Sequence, residues 1–498
     1  MPLKPTDPVF EFALDLPPPG SRRRLSELHR QLRGAIASGR LAPGMRLPST
    51  RALAARLGVS RGTAATVYDM LRGEGLLVAR AGAGTVVAPR AAAPRPASPA
   101  RAEVPDPRLP RAPLRFEVGG GAVLPERIAV NLRFGLAEER AFPFDVWRRL
   151  AGRVLREHAR APRAAFPAAG VARLRAAIAG HVAFARAVAC DADAVIVTSG
   201  AQQGFDLVAR TLVRPGRTVV AVEDPGYPPA WAAFAAAGAR LVPVPVDERG
   251  LRVDRLPEGA AIVYVTPSHQ FPTGVEMAPE RRRALLAFAA ERRAVVVEDD
   301  YDGEFRFAGR PLDALQTLDR DGSVVYVGTF SKSLFAALRV GFVVAPPWLR
   351  PALVASKRIA DWSSPGLTQL TLAAFLEEGH LARHIRRTRA LYAPRRAALL
   401  AAIAEHGAGW LAPIPSATGL HLAARLDGGV GLDRVAAAAR AAGVALERLD
   451  RYAFAPGGFE AVGFGYGAAE PEAIGGAIRR VARGVGAPSR GVARARGA

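Results

Sequence analysis

Val324-Val325-Tyr326-Val327-Gly328-Thr329-Phe330-Ser331-Lys332-Ser333 is an apolar run that ends in a turn of small residues carrying one lysine. Consecutive β-branched and aromatic residues make the kind of strand that is covered on both faces of a sheet. The Gly, Thr and Ser behind it add little bulk, so a flat ligand can come close to the lysine amine. Open α/β sheets place their ligands at the carboxyl ends of strands, and Lys332 falls there.

Similar runs recur on either side: Val195-Ile196-Val197, Val219-Val220-Ala221-Val222, Ile262-Val263-Tyr264-Val265 and Val295-Val296-Val297. Ala-rich and Leu-rich helical stretches separate them, which predicts a mostly parallel sheet with helices on both faces. From about Thr371 the pattern turns helical, with a long basic stretch near Arg383 to Arg396. Shorter strand-like pieces follow, such as Gly419-Leu420-His421-Leu422, and predict a smaller α+β subdomain.

An amine at a strand end among small residues suits pyridoxal 5'-phosphate (PLP). That cofactor also needs an anion for its ring nitrogen, an oxygen donor near its ring hydroxyl and a phosphate cradle. Asp299, directly after Val295 to Glu298, is the candidate anion, because a carboxylate at a buried strand end needs a positive partner. Tyr301 lies two residues on and is expected to donate to the ring oxygen or to approach Lys332. Ser199-Gly200-Ala201 follow a strand and open a helix, whose free N–H groups suit a dianion. Thr329, Ser331 and Arg339 are expected to complete that cradle, and Tyr227, in Asp224-Pro225-Gly226-Tyr227, to lie against the ring face.

The amino-terminal part reads differently. Leu25, Leu28, Leu32 and Ile36 recur at helical spacing. Ser49 and Thr50 can cap a second short helix burying Leu53 and Leu57, and Gly58 stops it. Ser60 caps a third helix burying Ala64, Val67 and Leu71. Leu76 to Ala79 and Thr85 to Val87 then flank Gly82 and Gly84 as a hairpin with a flexible tip. Two short helices joined by a tight turn and followed by a wing can read DNA. Arg61, Thr63, Thr66 and Tyr68 on the third helix, capped by Ser60, are expected to face the groove. Arg51 would reach phosphate or a guanine edge, and the wing tip at Gly82 and Gly84 the minor groove.

Formal net charge over the 498 residues is +23, of which residues 1–88 hold +7 (13 Lys and Arg against 6 Asp and Glu). The excess is therefore spread along the chain and is compatible with DNA binding without demonstrating it. Eight prolines between Pro89 and Pro113 exclude a helix or a sheet ladder there and predict a linker. The expected organisation is a DNA-binding domain at 1–88, a linker at 89–125, a PLP-binding domain at 126–485 and a basic tail at 486–498. Cys190 is the only cysteine, which excludes an intramolecular disulfide and a cysteine-built metal site, and it is expected as a small buried thiol; no metal is expected. No apolar run reaches the roughly 18 residues that span a bilayer, and the start lacks a signal-peptide core, so cytoplasmic residence is expected.

The set Gly44 to Arg51, Leu53-Ala54, Leu57 to Arg61, Thr63, Tyr68, Leu71, Gly75-Leu76 and Gly82 to Thr85 resembles the winged helix-turn-helix of the GntR superfamily. The order Ser199-Gly200-Ala201, Asp224 to Tyr227, Pro267 to Gly274, Asp299-Asp300-Tyr301, Ser331-Lys332 and Arg339 is similar to class I and II aminotransferases of PLP fold type I. Their fusion, with the wording Thr266 to Gly274, resembles the MocR-type branch of the GntR regulators. That resemblance implies an α/β fold type I domain with a small α+β subdomain behind a winged helix-turn-helix, a homodimer, and double-stranded operator DNA as a partner. It implies a transcription regulator that senses a small amine or amino acid by external aldimine formation at Lys332. The alternatives are a PLP-dependent aminotransferase with an accessory DNA-binding arm, and a scaffold that has lost the cofactor. Two departures weigh against sustained turnover. Phe271 stands where such aminotransferases have an Asn, and Phe459, Glu460 and Ala461 stand near where they have a carboxylate-binding Arg. Arg425 and Arg451 are the substitutes in view.

Overall fold

The structure is a computed structural model, and its described residues are 14–21, 23–80, 84–89, 122–162, 165–309, 313–455 and 459–486. It divides into two compact units, Met1–Leu109 and Pro110–Ala498. Gly82, most of the expected linker and nearly all of the expected tail lie outside the described residues.

In the first unit, α1 (Arg24–Ala37) buries Leu28, Leu32 and Ile36 at the spacing read from the sequence. Helix α2 (Thr50–Leu57) is capped by Ser49, whose side chain accepts from Ala52 N, and it ends at Gly58 with φ +59°. That left-handed turn admits glycine at little cost. Helix α3 (Arg61–Gly73) is capped by Ser60, which accepts from Thr63 N at 3.0 Å. The hairpin β1 (Leu77–Arg80) and β2 (Gly84–Val87) pairs Leu77 with Val87 and closes over Leu47, Leu53 and Val67. This is a winged helix-turn-helix.

The second unit is built on strands β3 (Ala122–Val123), β4 (Val130–Asn131), β5 (Val195–Thr198), β6 (Val219–Asp224), β7 (Arg240–Asp247), β8 (Gly250–Leu251), β9 (Ala260–Val265), β10 (Val295–Asp300), β11 (Val324–Thr329), β12 (Gly341–Val344), β13 (Leu411–Pro413), β14 (His421–Leu426), β15 (Val444–Arg448) and β16 (Ala461–Gly465). The main sheet has the order β5-β12-β11-β10-β9-β6-β7-β8. Its centre, β11 to β7, is parallel, while β12 runs antiparallel to both neighbours. Ile196, Val222, Tyr264, Val297 and Val327 pack against Phe205, Trp231 and Phe234 of helices Ala201–Leu212 and Pro228–Ala236. On the other face Val263, Val296 and Val324 meet Leu285 of helix Pro279–Arg292, and Val195, Val197 and Tyr326 meet Leu174 and Phe375. Both faces are thus apolar, as parallel strands require.

A second sheet, β13-β14-β16-β15-β3, carries helices His380–His406 and Pro471–Val485 and forms the smaller α+β part. One boundary differs from expectation. Ala122 and Val123, placed in the linker by sequence, pair with Glu447 and Leu446 of β15. The proline run ends at Pro113, so nothing in these residues prevents ladder bonding. Cys190, expected buried, is half-buried, and burial pushes its thiol up to about 11. Among the described residues no helix is long and apolar enough to cross a membrane.

Candidate functional site

Lys332, behind the carboxyl end of β11, donates from Nζ to the Gly135 carbonyl at 3.0 Å. Burial lowers the amine's pKa, while the charges of Asp302 and Asp299 oppose that shift. Gly135 has φ +77°, and a Cβ there would stand 2.6 Å from Nζ, so the approach requires glycine.

Asp299 lies on the adjacent strand, in register with Val327 of β11. Its Oδ2 accepts from Tyr264 Oη at 2.7 Å, whereas Oδ1 is buried without a partner among the described residues. Burial, helped by the charges of Asp300 and Glu223, pushes the carboxyl up to about 7. An orphaned buried oxygen of this kind calls for a donor.

A cavity of about 440 Å³ opens between these groups. Tyr227 lines it, its ring 5.1 Å from that of Phe271 and its hydroxyl raised to about 12 by burial and the nearby Asp299. Ala201, Thr329, Ser331 and Arg339 line the cavity where helix Ala201–Leu212 begins. Ser199 and Gly200 do not line it but shape it. Arg339 donates to Ser199 O at 3.1 Å, and a Cβ on Gly200, φ +80°, would stand 2.8 Å from the same guanidinium.

Tyr301 also lines the cavity, yet its hydroxyl is engaged elsewhere than expected. It donates to the His269 carbonyl at 2.9 Å and lies 3.0 Å from His269 Nδ1, which is 3.0 Å from Asp302 Oδ1. A partly buried phenol needs such partners, and His269, itself held by Asp302, supplies them where Lys332 does not. His421 lies beside His269 with ring centroids 4.5 Å apart, and burial pushes its pKa down to about 3, so it is a neutral ring. His269, Asp302 and His421 bring donor atoms within 4.8 Å of one another, a cluster that sequence reading did not single out. Phe271 is boxed by Phe134, Tyr227, Tyr301 and Tyr452 at 5.0–6.0 Å and offers the cavity no hydrogen bond from its ring. Neither Arg425 nor Arg451 lines the cavity, and the Arg425 guanidinium sits over the Phe459 ring at 5.3 Å.

On the first unit, Arg51, Ser60, Arg61, Thr66 and Gly84 are exposed and Thr63 is partly so. Tyr68 is corrected: it is 2% exposed and donates to Pro48 O at 2.9 Å. It falls on the stripe Ala64, Val67, Leu71 that α3 turns inward, so it packs the core rather than facing a groove.

Residues 136–448 match the family described as aminotransferase class I and II, and residues 25–87 match bacterial regulatory proteins of the gntR family. The chain is 38% identical over 461 residues to the probable rhizopine catabolism regulatory protein MocR of Rhizobium meliloti, covering 90% of this chain and 91% of that protein. The chain is a MocR-type regulator of the GntR superfamily. This regulator is also 32% identical to the pyridoxine biosynthesis transcriptional regulator PdxR of Corynebacterium glutamicum, over 90% of this chain and 93% of that one. Its larger unit is similar to LysN, an α-aminoadipate aminotransferase of Thermus thermophilus solved with N-(5'-phosphopyridoxyl)-L-leucine. Identity is 30% and the TM-score 0.65, over 72% of this chain and 92% of that one.

The fold type I domain of this regulator implies PLP, and its residues fit the group. The orphaned Asp299 Oδ1 suits a protonated ring nitrogen, Lys332 an aldehyde carbon, and the helix start with Thr329, Ser331 and Arg339 a phosphate. Bound there, PLP supplies an electrophilic aldehyde conjugated to an electron-withdrawing ring.

Proposed function

We propose that this regulator holds PLP on Lys332 and senses an amino compound whose amine exchanges with Lys332 on the cofactor's aldehyde carbon. The observation that carries the reading is one geometry: a half-buried lysine of lowered amine pKa and a buried carboxylate oxygen without a donor facing one cavity. Asp299 holds the ring-nitrogen proton, Tyr227 covers the ring face, and Gly135 O receives the Lys332 amine. Tyr301 stands at the ring-oxygen side with its proton held by His269. Ser199 and Gly200 shape the phosphate end, while Ala201, Thr329, Ser331 and Arg339 bind there. An effector acts only by favouring one state of the protein over another.

Arg51, Ser60, Arg61, Thr63 and Gly84, with Gly82 of the wing tip, are the proposed contacts to operator DNA. Residues 1–88 would be the reading head and the proline-rich segment 89–125 mostly a tether. The protein would work as a homodimer in the cytoplasm.

Purified protein supplied with PLP should show a visible absorbance band that survives dialysis and is absent in Lys332→Ala. A screen of amines and amino acids should shift that band, and the shift should depend on operator DNA. A colourless protein refutes the proposal. The aminotransferase reading is favoured by Lys332 and the buried Asp299 facing one cavity and disfavoured by Phe271. Rapid multiple turnover with any amino acid would establish it and displace the sensor-only role.

A further inference from the structure

We infer that Arg133 is the receptor for an anionic group on the effector, so that the ligand class is an amine that also carries a carboxylate or an equivalent oxyanion. This deepens the sensor reading and rests on it.

The cationic side chains lining the cavity are Lys332, Arg339 and Arg133. Lys332 is committed to the aldehyde, and Arg339 is tied to Ser199 O at the phosphate end. Arg133 is set differently. Its Nε donates to Asn131 Oδ1 at 3.0 Å, and its backbone N reaches the same oxygen at 3.3 Å. Its terminal nitrogens have no hydrogen-bond or ion-pair partner among the described residues. A guanidinium anchored through Nε and open at its two ends is a pre-oriented fork, the geometry that takes a carboxylate in two parallel hydrogen bonds.

Its position is also informative. Leu132 N donates to Ala445 O, and Gly465 N donates to Leu132 O, each at 2.8 Å, so the segment lies between β15 and β16. A Cβ on Gly465 would stand 2.1 Å from the Arg133 carbonyl, so a glycine makes the fit possible. Strand β16 follows Phe459 and Glu460, where the sequence lacks the family's carboxylate-binding Arg. Two residues beyond Arg133, Gly135 O accepts the hydrogen bond from Lys332 Nζ. Arg133 thus brings a positive charge to the same cavity wall from a different stretch of chain.

Glu447 lines the same cavity and is the group that could cancel this charge. Its Oε1 accepts from Phe134 N at 3.3 Å and its Oε2 from Tyr452 Oη at 3.1 Å, and no ion pair joins it to Arg133. Burial pushes its carboxyl up, which lessens its negative charge beside an incoming anion, although its two hydrogen bonds and the Arg133 charge act the other way. Glu447 therefore positions Phe134 and Tyr452. Phe134, Phe271 and Leu420 keep that side of the cavity apolar, which strengthens a charged hydrogen bond made there.

The test is spectral titration of PLP-loaded wild type, Arg133→Gln and Arg133→Lys with matched probes: L-alanine and β-alanine against ethylamine, L-lysine against cadaverine, and 6-aminohexanoate against pentylamine. In wild type at least one carboxylate-bearing probe should bind about 10- to 100-fold more tightly than its partner, the worth of a charged hydrogen-bond pair. Arg133→Gln should erase that preference while leaving the cofactor band and the affinity for the plain amine unchanged, and Arg133→Lys should restore part of it. Equal affinity within every pair, a preference that survives Arg133→Gln, or loss of the band in Arg133→Gln overturns the assignment and leaves the sensor reading standing. A band that no amine of either kind perturbs overturns both.

Discussion

Asp299→Asn separates what the buried carboxylate costs the protein from what it does for the cofactor. In the folded protein burial moves this carboxyl from 3.8 to about 7. Keeping it ionised without a positive partner therefore costs roughly 2–4 kcal/mol, the lower figure allowing for relaxation and for charge shared with Glu223. The sign follows from proton affinity: the folded carboxyl holds its proton more tightly than the unfolded one. Its contribution to stability is thus fully present below about pH 4 and is lost as pH rises to about 7. Asn keeps an oxygen for the Tyr264 hydroxyl and has no such dependence. In urea unfolding of PLP-free protein, the stability of the variant relative to wild type should grow by roughly 2 kcal/mol between about pH 5 and about pH 8. Added PLP should reverse the order, because Asn cannot hold a ring proton by charge. A stability difference that ignores pH, or equal stabilisation of both proteins by PLP, would refute the placement of the ring nitrogen at Oδ1.

Gly135→Ala puts a Cβ 2.6 Å from Lys332 Nζ at a φ of +77°. It should cost about 1–2 kcal/mol in backbone strain and sharply weaken the cofactor band, measured by melting and by absorbance after dialysis. Tyr68→Phe removes the hydrogen bond to buried Pro48 O and should lower stability by about 1 kcal/mol, with DNA affinity at fixed salt unchanged. Arg61→Ala should do the opposite. Binding to a genomic fragment retained by wild type should weaken, and if the contact is to phosphate the log–log salt slope should fall by about 1, with the cofactor band intact.

The strands that the sequence revealed were those with uninterrupted β-branched runs. Strand β7 escaped because Pro243 and Pro245 interrupt it, which ordinarily argues against a strand. It tolerates them because β8 pairs with it only at Val246 and Asp247, so much of its outer edge makes no ladder bond that a proline would break. Strand β12 escaped because Gly341 opens it and breaks the apolar run, and a glycine ordinarily weakens a strand. Lys332 and Asp299 were legible for a local reason, since strand and functional group are contiguous in the chain. Tyr68 was misplaced although the helical period held the answer, because a tyrosine reads equally well as a groove contact or as core.

The remaining wall of the cavity had no local signature. Arg133, Leu420, His421, Glu447 and Tyr452 reach it from the smaller sheet and the segment paired to it, far in sequence from Lys332. What brings them together is the ladder of β14, β15 and β16, whose residues show only apolar alternation. An arginine after a two-residue strand looks like any surface arginine until Asn131 is seen to hold its Nε. The cofactor end of such a site is therefore written in strand-end residues, while the end that would meet an effector is written in long-range packing. That division follows from the chemistry: the cofactor's needs are fixed, whereas an effector's charge can be met from any segment that the second sheet carries to the cavity.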